Sequence, residues 1–176
     1  MQLIRYSRNI KMEEIKITKA RAIDIKKIIE IEELSYKDPW PREVFMIDYV
    51  FNRSAQYFVA RVDNKICAFT GLWIEMDKFH IVNIAVHPDY RKRGIATYFM
   101  NFIIDYAKEK RAKEIHLEVR KSNTIAQNLY KKLGFEILEE LKKYYQDRED
   151  GYRMTKIIET KKRRENDNIG NRDFLR

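Results

Sequence analysis

One cysteine, three prolines and five glycines among 176 residues leave several classes of protein without their usual materials. Cys67 has no partner for an internal disulfide, so a disulfide-stapled scaffold is excluded. Set in Lys65-Ile66-Cys67-Ala68-Phe69, it reads as a small buried residue. The three histidines are scattered and supply no clustered metal ligands, so no metal is expected. No apolar run is long enough for a membrane span or a signal h-region, which points to a cytoplasmic protein with no membrane partner. The glycines form neither a P-loop nor a three-glycine dinucleotide fingerprint.

Acidic residues are also in deficit, 27 against 36 basic ones for a net charge of +9. A basic chain meets phosphates, nucleic acid or acidic proteins. More than half of the excess lies at the ends, since residues 1–13 hold three basic and one acidic residue and residues 160–176 hold six and three. We therefore read 1–13 as a polar leader, 14–158 as one domain with a full core, and 159–176 as a basic, flexible tail, with a nucleic-acid arm as the alternative.

What is present is a succession of strand and helix patterns. Ile15 to Thr18 alternates like an edge strand, and Asp24 opens a helix with Ile25, Ile28, Ile29 and Leu34 at helical spacing. Asp38-Pro39-Trp40-Pro41 breaks that pattern, and a second helix carries Val44, Phe45 and Tyr49. Tyr57 to Val62 and Ile66 to Ile74 flank Asp63-Asn64-Lys65 as a hairpin, and a third strand runs from Phe79 to Val86. A helix then presents Ile95, Phe99, Phe102, Ile103 and Tyr106, followed by a strand Glu114 to Arg120. That strand turns Ile115, Leu117 and Val119 one way and His116, Glu118 and Arg120 the other. A strand-helix-strand crossover implies parallel neighbours. Ser122 or Asn123 caps a further helix through Tyr130, Gly134 ends it, and strands Phe135 to Leu141 and Tyr152 to Ile158 complete an α/β fold. The expected architecture is a single mixed sheet of about seven strands with helices on both faces.

The segment Val86-His87-Pro88-Asp89-Tyr90-Arg91-Lys92-Arg93-Gly94-Ile95-Ala96 stands at the junction of strand and helix. Pro88 stops the strand, and the helix starts near Arg93 with unsatisfied N–H groups and partial positive charge. Gly94 lets a ligand approach the main chain without a Cβ in the way, and Arg91, Lys92 and Arg93 add full charges. The segment reads as a cradle for phosphate.

Asn83-Ile84-Ala85-Val86, Arg91-x-x-Gly94-x-Ala96, Leu117-Glu118-Val119-Arg120, Ser122-Asn123, Ala126, and Tyr130 ahead of Leu133-Gly134-Phe135 together resemble the GNAT acetyltransferase superfamily over Glu14 to Ile158. With the late Tyr144-Tyr145 pair they most resemble its protein N-terminal acetyltransferases, of the bacterial ribosomal-protein alanine type and the archaeal Nα-acetyltransferase type. The resemblance implies acetyl-CoA as donor and a protein or peptide N-terminus, nascent or ribosomal, as acceptor. It implies that the backbone of Ile84, Ala85 and Val86 pairs with the pantetheine arm. Amides from Arg91 through Lys92, Arg93, Gly94 and Ile95 to Ala96 would take the pyrophosphate, and Asn123 would bond the same arm. It further implies a bulge in the fourth strand that opens a V-shaped cleft.

Acetyl transfer to an amine needs the amine neutral, the oxyanion stabilised and the leaving thiolate protonated. By the resemblance Glu118 is the expected base, Tyr130 the expected acid, and His80 a helper that holds a water with Glu118, as in the archaeal branch. An N–H near Val86 would stabilise the oxyanion. His87 and His116 receive no catalytic role. The loop at Pro39-Trp40-Pro41 with Tyr144 and Tyr145, and less directly Tyr36, should bind the acceptor, although Trp40 also reads as a plug between the first two helices. Lysine side chains or small amines are alternative acceptors, and a noncatalytic RNA-associated module is the alternative of another class. Ribosome association is compatible with the charge, and a monomer or weak dimer is expected.

Overall fold

The computed structural model describes residues 15–158; the expectations for the leader and the basic tail lie outside them. The elements run β1 (Lys16–Lys19), α1 (Ile25–Ser35), α2 (Arg42–Phe51), β2 (Ala55–Val62), β3 (Lys65–Glu75), β4 (Lys78–Val86), α3 (Ile95–Glu109), β5 (Glu114–Arg120), α4 (Thr124–Lys132), β6 (Glu136–Leu141) and β7 (Gly151–Ile157). One seven-stranded sheet has the order β1-β2-β3-β4-β5-β7-β6. The only parallel pair within it is β4 with β5, joined by the α3 crossover. No helix among the described residues is long and apolar enough to cross a membrane.

Local chemistry accounts for the connections. Asp63 and Asn64 both have positive φ (50° and 62°), the geometry of a two-residue hairpin turn whose twist matches the flanking strands. Gly134 takes φ 82° behind α4, where a side chain would be strained. Asn123 is the N-cap of α4, its Oδ1 accepting the Ala126 N–H at 3.1 Å. Asp24 precedes α1 and is buried against Arg61 at 2.7 Å. Two helix-face expectations fail. Leu34 is 50% exposed and Val44 42% exposed, because the core on this side takes Ile25, Ile28, Ile29 and Ile31 from α1 and Phe45 and Tyr49 from α2.

Helices cover both faces. Ile95, Phe99, Met100, Ile103 and Ile104 of α3 pack with Phe79, Ile81, Ile115, Leu117 and Tyr130. On the opposite face Ile25, Ile28 and Ile31 of α1 and Phe45 of α2 pack with Tyr57, Phe69 and Ala85. Cys67 is fully buried, and burial raises its thiol to about 11, which leaves it inert as a nucleophile.

The decisive irregularity lies in β4. Gly71 of β3 pairs with Asn83, yet Leu72 pairs with Ile81, so Val82 is an extra residue, a β-bulge. The alternation of faces changes parity across it. Phe79 and Ile81 join the α3 side before the bulge, and Ile84 and Val86 join that side after it. Pairing between β4 and β5 stops at Ile81↔Leu117, while β5 continues paired with β7 to Arg120. The two central strands therefore part beyond the bulge and leave a cleft.

Gly71 is required by this close approach, since an added Cβ would lie 2.5 Å from Asn83 Oδ1 and 2.8 Å from Tyr57 Cε1. Tyr57 cannot yield easily, because its hydroxyl is bonded to Asp48 at 2.5 Å. Gly71→Ala is expected to cost about 1–3 kcal/mol, read from denaturant unfolding, and an unchanged midpoint would contradict this packing.

Glu32 of α1 is 2% exposed, and burial raises its carboxyl to about 7 despite one bond from the Trp40 N–H. Its Oε2 has no hydrogen-bond partner among the described residues. With the folded pKa raised, the native state binds more protons than the unfolded one, so stability falls as pH rises from about 4.5 to about 7. The loss is at most about 3 kcal/mol. Urea titrations at several pH values should show this slope in the wild type and lose it in Glu32→Gln. Equal slopes would contradict the assignment.

Candidate active site

The cleft is walled by the free edge of β4 beyond the bulge, the end of β5 and α4. Strand alternation turns the N–H and C=O groups of Ile84 and Val86 into it and leaves those of Ala85 on the β3 side, opposite Phe69. Both groups of Ile84 are engaged by Tyr36, whose hydroxyl donates to the Ile84 carbonyl at 2.7 Å and accepts the Ile84 N–H at 3.2 Å. The Val86 carbonyl accepts Arg91 Nε at 3.0 Å. Tyr36, expected to face the acceptor, thus sits on the strand edge expected to hold the donor.

Below this edge β4 runs into the segment expected to cradle phosphate. A short 3-10 turn, Pro88–Tyr90, follows the strand, and α3 begins at Ile95, two residues later than Arg93. Gly94 is its N-cap in the left-handed region at φ 78°, and Lys92 also has positive φ, 60°. The first-turn amides Ile95, Ala96 and Thr97 lack intrahelical acceptors and carry the positive end of the α3 dipole. The cations are only partly directed there. Arg91 is drawn back to Val86 and to Ser35 Oγ at 3.0 Å, and Arg93 bonds the Asp89 carbonyl at 2.8 Å. Lys92 is exposed. The Ile95 side chain is buried in the core, so that residue offers its backbone alone.

At the upper end of the cleft the expected catalytic groups fall into two sets. His80 Nε2 and Glu118 Oε2 are 2.6 Å apart, and Arg153 Nε donates to the other oxygen of Glu118 at 2.8 Å. His80 and His116 are register partners across the parallel pair, and their rings stack at 4.4 Å. Trp73 meets the His80 ring edge-on at 5.5 Å. Burial would raise the Glu118 carboxyl, but the bonds and charges of His80 and Arg153 hold it down to about 2. Burial, with the charge of His80 beside it, lowers His116. Tyr130 belongs to the other set, on α4; it is 7% exposed, and burial raises its phenol to about 12, so it stays protonated at neutral pH.

The expected acceptor residues separate as well. Trp40 packs on Phe45 at 5.4 Å and on Trp73 at 6.3 Å, the plug position between α1, α2 and β3. Tyr144 is 48% exposed and stands edge-on to Tyr145 at 5.2 Å. Tyr145 lies under the Arg120 guanidinium. Asn123 spends its side-chain oxygen on the α4 cap, which leaves its Nδ2 free to donate. The sequence reading did not single out Arg153, Trp73 or the partners of Arg120. Arg153 faces Glu118 only through the β5–β7 register, and no spacing within a single strand encodes that register.

Comparison with known proteins follows this geometry. Residues 25–135 match the model of the acetyltransferase (GNAT) family. The chain is 38% identical over 127 residues, 72% of its own length and 84% of the relative's, to a putative ribosomal protein bS18-alanine N-acetyltransferase of Bacillus subtilis. It is 37% identical to an N-alpha-acetyltransferase of Sulfurisphaera tokodaii, covering 82% of this chain and 93% of the relative. Among solved structures, the ribosomal-protein-S18-alanine N-acetyltransferase of Escherichia coli superimposes with a TM-score of 0.79 at 27% identity, covering 86% of this chain and 97% of that one. The chain therefore belongs to the GNAT acetyltransferase family, as an N-acetyltransferase and not a noncatalytic nucleic-acid module.

Proposed function

We propose that the chain transfers the acetyl group of acetyl-CoA to the α-amino group of a protein N-terminus, with a nascent or ribosomal protein as acceptor. The arrangement of His80 and Arg153 on the two oxygens of Glu118 carries this reading. His80 and Arg153 occupy both oxygens of Glu118 and hold its carboxyl well below the usual carboxylate range, which makes it a poor direct acceptor for an ammonium proton. An α-amine is already deprotonated in a sizeable fraction at neutral pH and needs little help. A lysine, with a pKa near 10.4, is almost wholly protonated at neutral pH and needs far more help. The two relatives named for N-terminal substrates point the same way.

Glu118 then acts chiefly by orienting His80. A carboxylate accepting from Nε2–H leaves Nδ1 as the imidazole nitrogen able to accept the amine proton, directly or through a water. Arg153 keeps Glu118 ionised and in place. Tyr130, protonated and shielded by burial, donates to the sulfur as the thiolate departs. The amides of Ile95, Ala96 and Thr97 receive the pyrophosphate, where Gly94 allows close approach. Asn123 Nδ2 and the backbone of Ile84 and Val86 hold the pantetheine arm. A chain pairing with Ile84 must displace the Tyr36 hydroxyl, so donor binding and the loop that carries Tyr36 are coupled.

Three outcomes test this reading. Incubation with acetyl-CoA and a peptide bearing both a free N-terminus and an internal lysine should place the acetyl group on the α-nitrogen, located by tandem mass spectrometry; predominant lysine acetylation would refute the acceptor. Tyr130→Phe should lower kcat by about 10²-fold or more while leaving the acetyl-CoA Kd within about twofold, since a leaving-group acid acts in the transition state. Equal losses in both would mark a structural tyrosine. Tyr36→Phe should tighten acetyl-CoA binding severalfold in calorimetry, because Ile84 loses its internal partner; weaker binding would show that the hydroxyl assists the donor.

A further inference from the structure

Arg120 is the last residue of β5 and lies on the same face as Glu118, two residues along. Its side chain is only 18% exposed and meets three carboxylates from two loops distant in sequence. Nη2 donates to Asp38 Oδ2, in the loop between α1 and α2, at 2.5 Å. Nη1 donates to Asp147 Oδ1 at 2.9 Å and to Glu149 Oε2 at 2.8 Å, both in the loop between β6 and β7. The guanidinium also lies 4.0 Å from the centre of the Tyr145 ring.

The β6–β7 loop is folded around this contact. The Glu149 carboxylate accepts the Ser122 N–H at 2.9 Å, the Asp147 carboxylate accepts the Glu149 N–H at 3.2 Å, and the Tyr145 N–H reaches the Glu149 carbonyl at 3.2 Å. Lys143 and Arg148 adopt positive φ, 52° and 65°, conformations that cost energy in non-glycine residues and persist when surroundings hold them. Asp38, Asp147 and Glu149 would repel one another without the cation between them. The other tie between the two loops, Lys37 to Asp147 at 2.8 Å, is made by a lysine side chain 73% exposed, and such pairs contribute little. Arginine suits the position as lysine does not, because a planar fork bonds several carboxylates while its face stacks on an aromatic ring.

We propose that Arg120 is a positioning residue that fixes the two walls of the acceptor groove relative to each other, with Asp38 as the latch between them. The role in acceptor binding rests on the proposed function together with the acceptor role that the family resemblance implies for those loops; the tie between the loops does not. Opening the latch should free the β6–β7 loop that carries Tyr144 and Tyr145, so that the peptide loses a preorganised groove.

The test uses the full chain with Asp38→Asn, Asp38→Glu and Arg120→Lys. In Asp38→Asn, amide hydrogen exchange of residues 142–150 should quicken although the substitution lies in the other loop. The peptide KM should rise about fivefold or more, with kcat at saturating peptide and saturating acetyl-CoA within about twofold. Asp38→Glu, which keeps the carboxylate, should recover most of the loss, and Arg120→Lys should not behave as wild type. Unchanged exchange in 142–150 would overturn the tie between the loops. Quicker exchange with an unmoved peptide KM would overturn the positioning role. A wild-type chain that acetylates no peptide would refute the proposed acceptor, and the exchange data alone would then decide whether the loops are tied.

Discussion

Everything functional in this molecule depends on two central strands that stop pairing. A sheet whose β4 and β5 stayed bonded to their ends would bury the N–H and C=O groups of Ile84 and Val86 in a ladder. Here the register ends at Ile81↔Leu117, and the extra residue Val82 turns the strand away. Backbone groups exposed in this way must find partners. Ile84 finds the Tyr36 hydroxyl and Val86 finds Arg91, the sort of exchangeable partners that an extended ligand can replace. The same bulge changes which side chains share a face. His80 lies before it and Asn83 after it, an odd number of residues apart, yet both belong to the α1 and α2 side, as their partners Trp73 and Gly71 show.

The electrostatics follow from placing these groups in a partly closed cleft. Glu118 would be costly to bury alone, and His80 with Arg153 compensates it so fully that it becomes a weak base. The resemblance implies Glu118 as the base, and the proposed function moves that role to His80. In that proposal the carboxylate anchors and orients, the imidazole exchanges the proton, and an α-amine is the acceptor. Arg120, on the same strand face, answers a parallel problem for three loop carboxylates.

Much of this architecture was legible in the residues because it is written in local chemistry. The Asp63-Asn64 turn, the cap at Asn123, the glycine behind α4 and the alternation of Glu114 to Arg120 each depend on a few neighbouring residues, and each stands where expected. Pro88 and Gly94 marked the cradle for the same reason, although the positive φ of Lys92 delayed the helix start to Ile95. Relations between strands could not be read. The bulge is a property of the β3–β4 register, and within Phe79 to Val86 only His80 and Asn83 are polar, too few to betray a change of parity. The same holds for Arg153 opposite Glu118 and for Asp147 and Glu149 around Arg120. Tyr36 on Ile84 is a contact over 48 residues that no periodicity foretells. Leu34 and Val44 were misplaced because an apolar residue at helical spacing need not find a neighbour to cover it.

The account stands or falls on the free edge of β4 being the donor site. Titrating the isotopically labelled chain with acetyl-CoA while following backbone amide resonances tests this directly. The amides of Ile84, Gly94, Ile95 and Ala96 should shift together and saturably, with the Tyr36 hydroxyl leaving Ile84, while Lys16 to Lys19 at the far edge of the sheet stay in place. Saturable binding that leaves Ile84 and the first turn of α3 unmoved would contradict it.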